Sequence, residues 1–286
     1  MLTSVARYFS LVRFAHTLFA LPFALISFVF AVKACGVSWD WGMFVKVLLC
    51  MVFARNAAMG FNRYADRRFD VRNPRTQNRE IPSGEIHPTR ALAFVVANAL
   101  AFSVTAWFLN PLVFALSPVA LFVLLGYSYV KRFSASCHFV LGVAMGMAPA
   151  GAFMAATGTL HPVPFLLAVT VFFWGSGFDI LYALQDIAFD RQQGLHSVPA
   201  LLGWSRARGV SIFLHVFAAL SVCSIGFWHS WGIWFWFGVL SFTALLGYQH
   251  TRITSEHPER IDAAFFRFNG LASVAFALLV VADLMW

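Results

Sequence analysis

Twelve of the 286 residues are acidic, and five of them fall in two short runs. In NRYADRRFD, Asn62, Asp66 and Asp70 recur at every fourth position. In DILYALQDIAFDRQQG, Tyr182, Asp186 and Asp190 repeat that interval, with Asp179 deeper in the apolar stretch before them. A spacing of four stacks side chains on one face of a helix. Oxygen donors aimed the same way suit a hard divalent cation. Magnesium commonly takes one or two carboxylates and completes its shell with water and substrate phosphate. Either run alone equally suits a solvated helix end, with Asp66 and Asp70 paired to Arg63, Arg67 or Arg68. Two runs of the same design at ends of apolar segments point instead to two cations around one diphosphate.

Cations accompany the acids. GYSYVKR sets Tyr127 and Lys131 four apart, with Arg132 next, at the end of another apolar segment. A lysine and an arginine there either neutralise phosphate or simply mark a cytoplasmic loop. Arg55, beside Asn56, lies inside an apolar segment, where an arginine requires an acid or an anionic ligand. Arg13 opens the first apolar segment and either faces an aromatic carboxylate or snorkels to the lipid headgroups. His16, which follows it, reads as an interior histidine.

The elements that must position these groups are membrane helices. The chain is 60% hydrophobic and 11% charged, with mean hydropathy +0.75, whereas soluble domains carry about 25% charged residues. Apolar blocks long enough to cross roughly 30 Å of hydrocarbon run near 14–34, 42–62, 89–109, 111–130, 138–157, 163–185, 208–227, 229–248 and 264–285. The fold expected is all-α, a polytopic membrane protein of about nine transmembrane helices forming one domain over 1–286. The first block carries Arg13 and His16 and does not read as a cleaved signal. The four cysteines stand singly, without metal or disulfide spacing.

The formal charge of +8 is not a nucleic-acid footprint, because it alternates connection by connection. Arginine and lysine crowd the N-terminus, residues 63–90, 131–132, 191–208 and 252–267, and leave the intervening connections nearly bare. The positive-inside rule then sets the N-terminus and every acidic run on the cytoplasmic side. Long polar connections over 63–88 and 186–207 each follow an even-numbered span, as in a repeated four-helix plan.

Taken in order, Asn62-x3-Asp66-x3-Asp70, Tyr127-x3-Lys131 and Tyr182-x3-Asp186-x3-Asp190 resemble the UbiA superfamily of membrane-embedded aromatic prenyltransferases, within it the 4-hydroxybenzoate polyprenyltransferase-like branch. The likeness extends through RNAAMGFNR, NPRTQNREIPSG and GLHSVPALLG. It implies a helical bundle around a central cavity open to cytoplasm and laterally to lipid. It implies that Asp66, Asp70, Asp186 and Asp190, helped by Asn62, bind Mg2+ on a polyprenyl diphosphate. Lys131, Arg132 and Arg67 would contact the diphosphate, with Tyr127 and Tyr182 alongside, and Arg13 or Arg55 would orient the carboxylate of an aromatic acid. Family members of ubiquinone formation usually carry Asn-Asp at the start of the first run, whereas Asn62 here precedes Arg63. That variant resembles members that act on 1,4-dihydroxy-6-naphthoate for menaquinone. The activity expected is Mg2+-dependent polyprenyl transfer to 4-hydroxybenzoate or that naphthoate, in a bacterial inner membrane. A transporter or proton relay is the rival use of intramembrane acids, but its acids belong near the midplane on interrupted helices.

Overall fold

A computed structural model describes residues 8, 10–12, 19–253 and 261–286, with backbone only over 262–266. Arg13, His16 and Arg260 lie outside the described residues. The helices are α1 (Leu21–Ala34), α2 (Trp41–Asp70), α3 (Pro88–Trp107), α4 (Pro111–Val130), α5 (Cys137–Thr157), α6 (Pro162–Ala183), a short α7 (Ile187–Gln192), α8 (Val198–Ile225), α9 (Ile233–Arg252) and α10 (Ile261–Met285). Seven of these are long and apolar enough to cross a membrane. Helices satisfy their own backbone hydrogen bonds, which lipid cannot do. The chain is an integral membrane protein.

The helix starts are written in the sequence as a polar cap followed by proline. His87, Asn110 and His161 each accept a hydrogen bond from a first-turn amide, and Pro88, Pro111 and Pro162 follow them. Proline suits that position because its missing N–H would have no helical partner there. Asn110 does more: its Nδ2 donates to the carbonyls of Met154 (2.8 Å) and Ala155 (3.1 Å), tying the start of α4 to the end of α5.

Helix α6 is the axis of the bundle and α4 lies at its edge. Of the most apolar window of each, 61% is buried for α6, continued through residue 192, and 11% for α4. Fully buried Trp174 on α6 packs among Phe23, Phe242 and Phe178 and donates from Nε1 to Asn269 on α10 at 2.9 Å. Glycines let α5 press against α6. A Cβ on Gly142 would run into Ser176 Oγ and come within 2.6 Å of the Phe172 carbonyl oxygen. One on Gly146 would lie 2.7 Å from that of Ala168. Small residues at such crossings give the close backbone approach that holds membrane helices together.

Two boundaries differ from those the hydropathy suggests. Helix α2 runs to Asp70 instead of ending near 62, because NRYADRRFD continues the helix beyond the apolar block. The connection expected over 186–207 is largely helical: a 3-10 turn (Leu184–Asp186), then α7, then α8 from Val198. Helix α8 breaks at Gly203, whose φ of 75° and ψ of 176° only glycine adopts without strain.

The glycine seam yields a test. Gly142→Val should destabilise the folded protein in detergent by about 1–3 kcal/mol, the usual cost of overpacking. Gly151→Ala, where an added Cβ meets nothing within 4 Å, should leave the melting temperature unchanged.

Candidate active site

Each of the four motif acids meets one basic side chain. Asp66 accepts from Asn62 Nδ2 at 3.0 Å and lies 3.6 Å from Arg132 Nη2. Asp70 pairs with Arg79 at 2.7 Å. Asp186 is gripped by Arg75, whose Nε and Nη2 donate to its two oxygens, and by Asn73 Nδ2 at 3.2 Å. Asp190 pairs with Lys131 Nζ at 2.8 Å and accepts from Ser197 Oγ at 2.8 Å.

The elements explain the convergence. Asp66 and Asp70 sit on the last turns of α2, and Asp186 and Asp190 follow the end of α6. Lys131 and Arg132 follow the last turn of α4. Arg75 and Arg79 come from the turns after α2, which fold back over the acids through Asn73 and Thr76, both buried. Arg132 also donates to the Ala65 carbonyl at 2.7 Å and covers the Tyr129 ring at 4.5 Å, which fixes its direction.

These groups line a polar cavity of about 310 Å3. A second cavity of about 350 Å3 adjoins it, walled almost entirely by apolar side chains of α2, α4 and α5. Ala20, Arg55, Met59, Tyr127, Leu141 and Met145 line both. Val119, on the α4 wall of the apolar cavity, is 58% exposed on a face that in a membrane meets lipid.

Most residues expected at the site are there. Asn62, Asp66, Asp70, Tyr127, Lys131, Arg132, Tyr182, Asp186, Asp190 and Arg55 all line the polar cavity. Arg67 does not. Its Nη1 donates to the Tyr64 carbonyl at 2.6 Å and its guanidinium lies over the Tyr64 ring at 4.2 Å. Arg13 lies outside the described residues. Asp190 is fully buried behind Lys131 and Ser197, while Asp66 keeps 29% of its side chain exposed. Sequence reasoning missed Arg75, Arg79 and Asn73. They lie in NPRTQNREIPSG of the arginine-rich 63–90 connection, a segment whose charge marks topology and whose likeness to the family assigns no role to these three side chains.

The donor set fits a divalent cation of limited appetite for protein ligands. Among the described residues no three His, Cys, Asp or Glu side chains converge on a point, so the protein alone forms no cage. Two pairs of carboxylates at helix ends leave coordination sites for water and phosphate, which is magnesium's habit. Asp70 Oδ2 is buried with no hydrogen-bond partner among the described residues, an acceptor prepared for a ligand.

The model of the UbiA prenyltransferase family matches residues 20–271. A 4-hydroxybenzoate octaprenyltransferase of Nitrosomonas europaea is 32% identical over 240 residues, 84% of this chain and 82% of its own. One of Alkalilimnicola ehrlichii is 31% identical over 243 residues, 85% of this chain and 82% of its own. The apo structure of a UbiA homolog from Aeropyrum pernix superposes with a TM-score of 0.84 at 26% identity, over 94% of this chain and 98% of that one. A UbiA homolog from Archaeoglobus fulgidus bound to GPP and Mg2+ shares the fold, with a TM-score of 0.72 at 20% identity over 98% of this chain and 100% of that one.

The Lys131–Asp190 pair can be tested apart from catalysis. Burial works against the Lys131 charge, but Asp190 outweighs it and holds the ammonium above the usual lysine value. Its stabilisation is therefore present below the ordinary lysine range and lost only as pH rises above it. Removing one member of a buried pair strands the other, at a cost of about 3–5 kcal/mol. Lys131→Met and Asp190→Leu should each lower stability by that order, and the double variant by less than the sum, in chemical unfolding from detergent.

Proposed function

The chain belongs to the UbiA prenyltransferase family, and from that premise we propose that it transfers a polyprenyl group from its diphosphate to a ring carbon of an aromatic acid, 4-hydroxybenzoate or 1,4-dihydroxy-6-naphthoate. The observation that carries this reading is the junction of the two cavities. A polar chamber bearing five acids and six lysine or arginine cations opens onto an apolar one across a shared wall. An amphipathic prenyl diphosphate has that division of polarity.

The diphosphate lies among Lys131, Arg132, Arg75 and Arg79. Asp66, Asp70, Asp186 and Asp190, with Asn62, would hold Mg2+, which when bound would supply positive charge to the departing diphosphate. Arg75 and Arg79, which rest on Asp186 and Asp70, turn to the phosphate oxygens. Charge-assisted donors aimed at the leaving group stabilise it most when its C1–O bond is breaking. The apolar cavity holds the proximal isoprene units and excludes the water that would convert an allylic cation to the alcohol. The remaining tail extends past the Val119 face into lipid. Arg55, on the shared wall, meets the acceptor carboxylate.

We assign the acids, and with them the N-terminus, to the cytoplasmic side of a bacterial inner membrane. The alternation of arginine-rich and bare connections supports this orientation, and the named relatives are bacterial. In a cysteine-free background, Ser83→Cys should react only with reagent on the cytoplasmic side and Leu160→Cys only from the other. The reverse pattern would overturn the orientation.

The transfer is tested in proteoliposomes by magnesium-dependent release of pyrophosphate and mass spectrometry of the product, with each acceptor in turn. Asp66→Asn should cut turnover more than about 100-fold, since a ligand lost from the metal weakens both binding and charge stabilisation. The melting temperature should change little, because Asp66 is the least buried of the four acids. Normal turnover of Asp66→Asn at saturating magnesium would remove the metal assignment.

A further inference from the structure

Below the four acids lies one further carboxylate with a partner of its own. Asp179 on α6 lines the polar cavity, two turns before Asp186 and about 10 Å deeper at 1.5 Å per residue. Its Oδ2 is 2.6 Å from Nδ1 of His138 on α5. His138 is 2% exposed, while the Asp179 side chain keeps 27%, so the carboxylate is the face this pair presents to the cavity.

The second ring nitrogen sets the proton's place. His138 Nε2 lies 3.3 Å from the backbone nitrogen of Val198, at the first turn of α8. A backbone N–H only donates, so Nε2 accepts and the imidazole proton sits on Nδ1, directed at Asp179. The histidine therefore acts as a clamp. It takes one hydrogen bond from a helix start and gives one to the carboxylate, fixing the latter's rotamer with Oδ1 left for the cavity. The neighbouring Ser197, which caps α8 and donates to Asp190, anchors that helix start to the motif acids.

Arg55 stands at the matching depth on α2, two turns before Asn62, and lines the same cavity. An aromatic acid held by Arg55 at its carboxylate lies below the diphosphate, beside Asp179. We propose that Asp179 is the base that completes the transfer, with His138 as its positioning residue; this rests on the aromatic transfer proposed above. Attack of the ring on C1 of the allylic cation forms a C–C bond and leaves an sp3 ring carbon that still bears its hydrogen. That C–H bond then breaks, its electron pair restores the aromatic ring, and the proton passes to Asp179 Oδ1. The diphosphate leaves with the electron pair of the C1–O bond, and Asp179 later releases its proton to water.

The test is a kinetic isotope effect with ring-perdeuterated 4-hydroxybenzoate, or the deuterated naphthoate if that is the acceptor. With the base in place, proton loss is fast and the wild type shows no isotope effect. In Asp179→Asn, turnover falls about 100-fold or more, the range of a lost general base. A normal isotope effect appears, and pyrophosphate release exceeds prenylated product as water captures the cation. His138→Leu shows the same signature in weaker form, and His138→Gln, whose amide can still donate to Asp179, restores wild-type behaviour. If Asp179→Asn does not fold, the His138 pair decides. An isotope effect that stays absent in Asp179→Asn or, failing that, in His138→Leu would overturn the proposal and assign the proton to pyrophosphate or water. Absence of aromatic transfer by the wild type would instead defeat the transferase reading itself, and this proposal with it.

Discussion

Charge near the hydrocarbon of a membrane must be met by opposite charge within the protein, since hydration is scarce there. The site is organised by that constraint. Asp66, Asp70, Asp186 and Asp190 are met by Arg132, Arg79, Arg75 and Lys131 respectively. The helices stop where they do, and the turns after α2 fold back, so that these pairs can form. A diphosphate accompanied by divalent cations is itself close to neutral. On the proposed reading it would enter by exchange of partners, arginines passing to phosphate and acids to metal, without stranding any charge.

The same pairs connect fold to function. Lys131 and Ser197 bind Asp190 from the ends of α4 and α8, so one buried acid joins three helices around the chamber. The glycine seam between α5 and α6 brings His138 against Asp179. At the chamber's inner wall, Arg55, Tyr127 and Met145 separate polar from apolar space. The reaction needs both: charge to draw off the diphosphate, and dryness for the cation left behind.

Much of this was legible in the residues. Blocks of about twenty apolar side chains drew the helices, and the four-residue interval brought Asn62, Asp66 and Asp70, and Asp186 with Asp190, to one chamber. Pairing was harder to read. Arg67 stands in the first motif, yet it folds onto Tyr64 of its own helix because an i, i−3 partner is nearer than the cavity. Arg75 and Arg79 stand in NPRTQNREIPSG, where the charge marks topology and the family likeness marks the segment but not what each arginine meets. Their role depends on a chain reversal stabilised by Asn73 and Thr76, and periodicity carries no such tertiary information. The early start of α8 was hidden because hydropathy averages over the Gly203 break and the polar residues around it.

The central claim is that the paired acids exchange their cationic partners for metal when the diphosphate enters. A structure with Mn2+ and an unreactive thiolo analogue of the prenyl diphosphate, with the metal located by anomalous scattering, tests it directly. The account predicts manganese between the diphosphate and the carboxylates of Asp66, Asp70, Asp186 and Asp190, with the Arg75 and Arg79 guanidinium groups moved onto phosphate oxygens. Manganese bound elsewhere, or a diphosphate seated while Arg75 and Arg79 remain on Asp186 and Asp70, would contradict it.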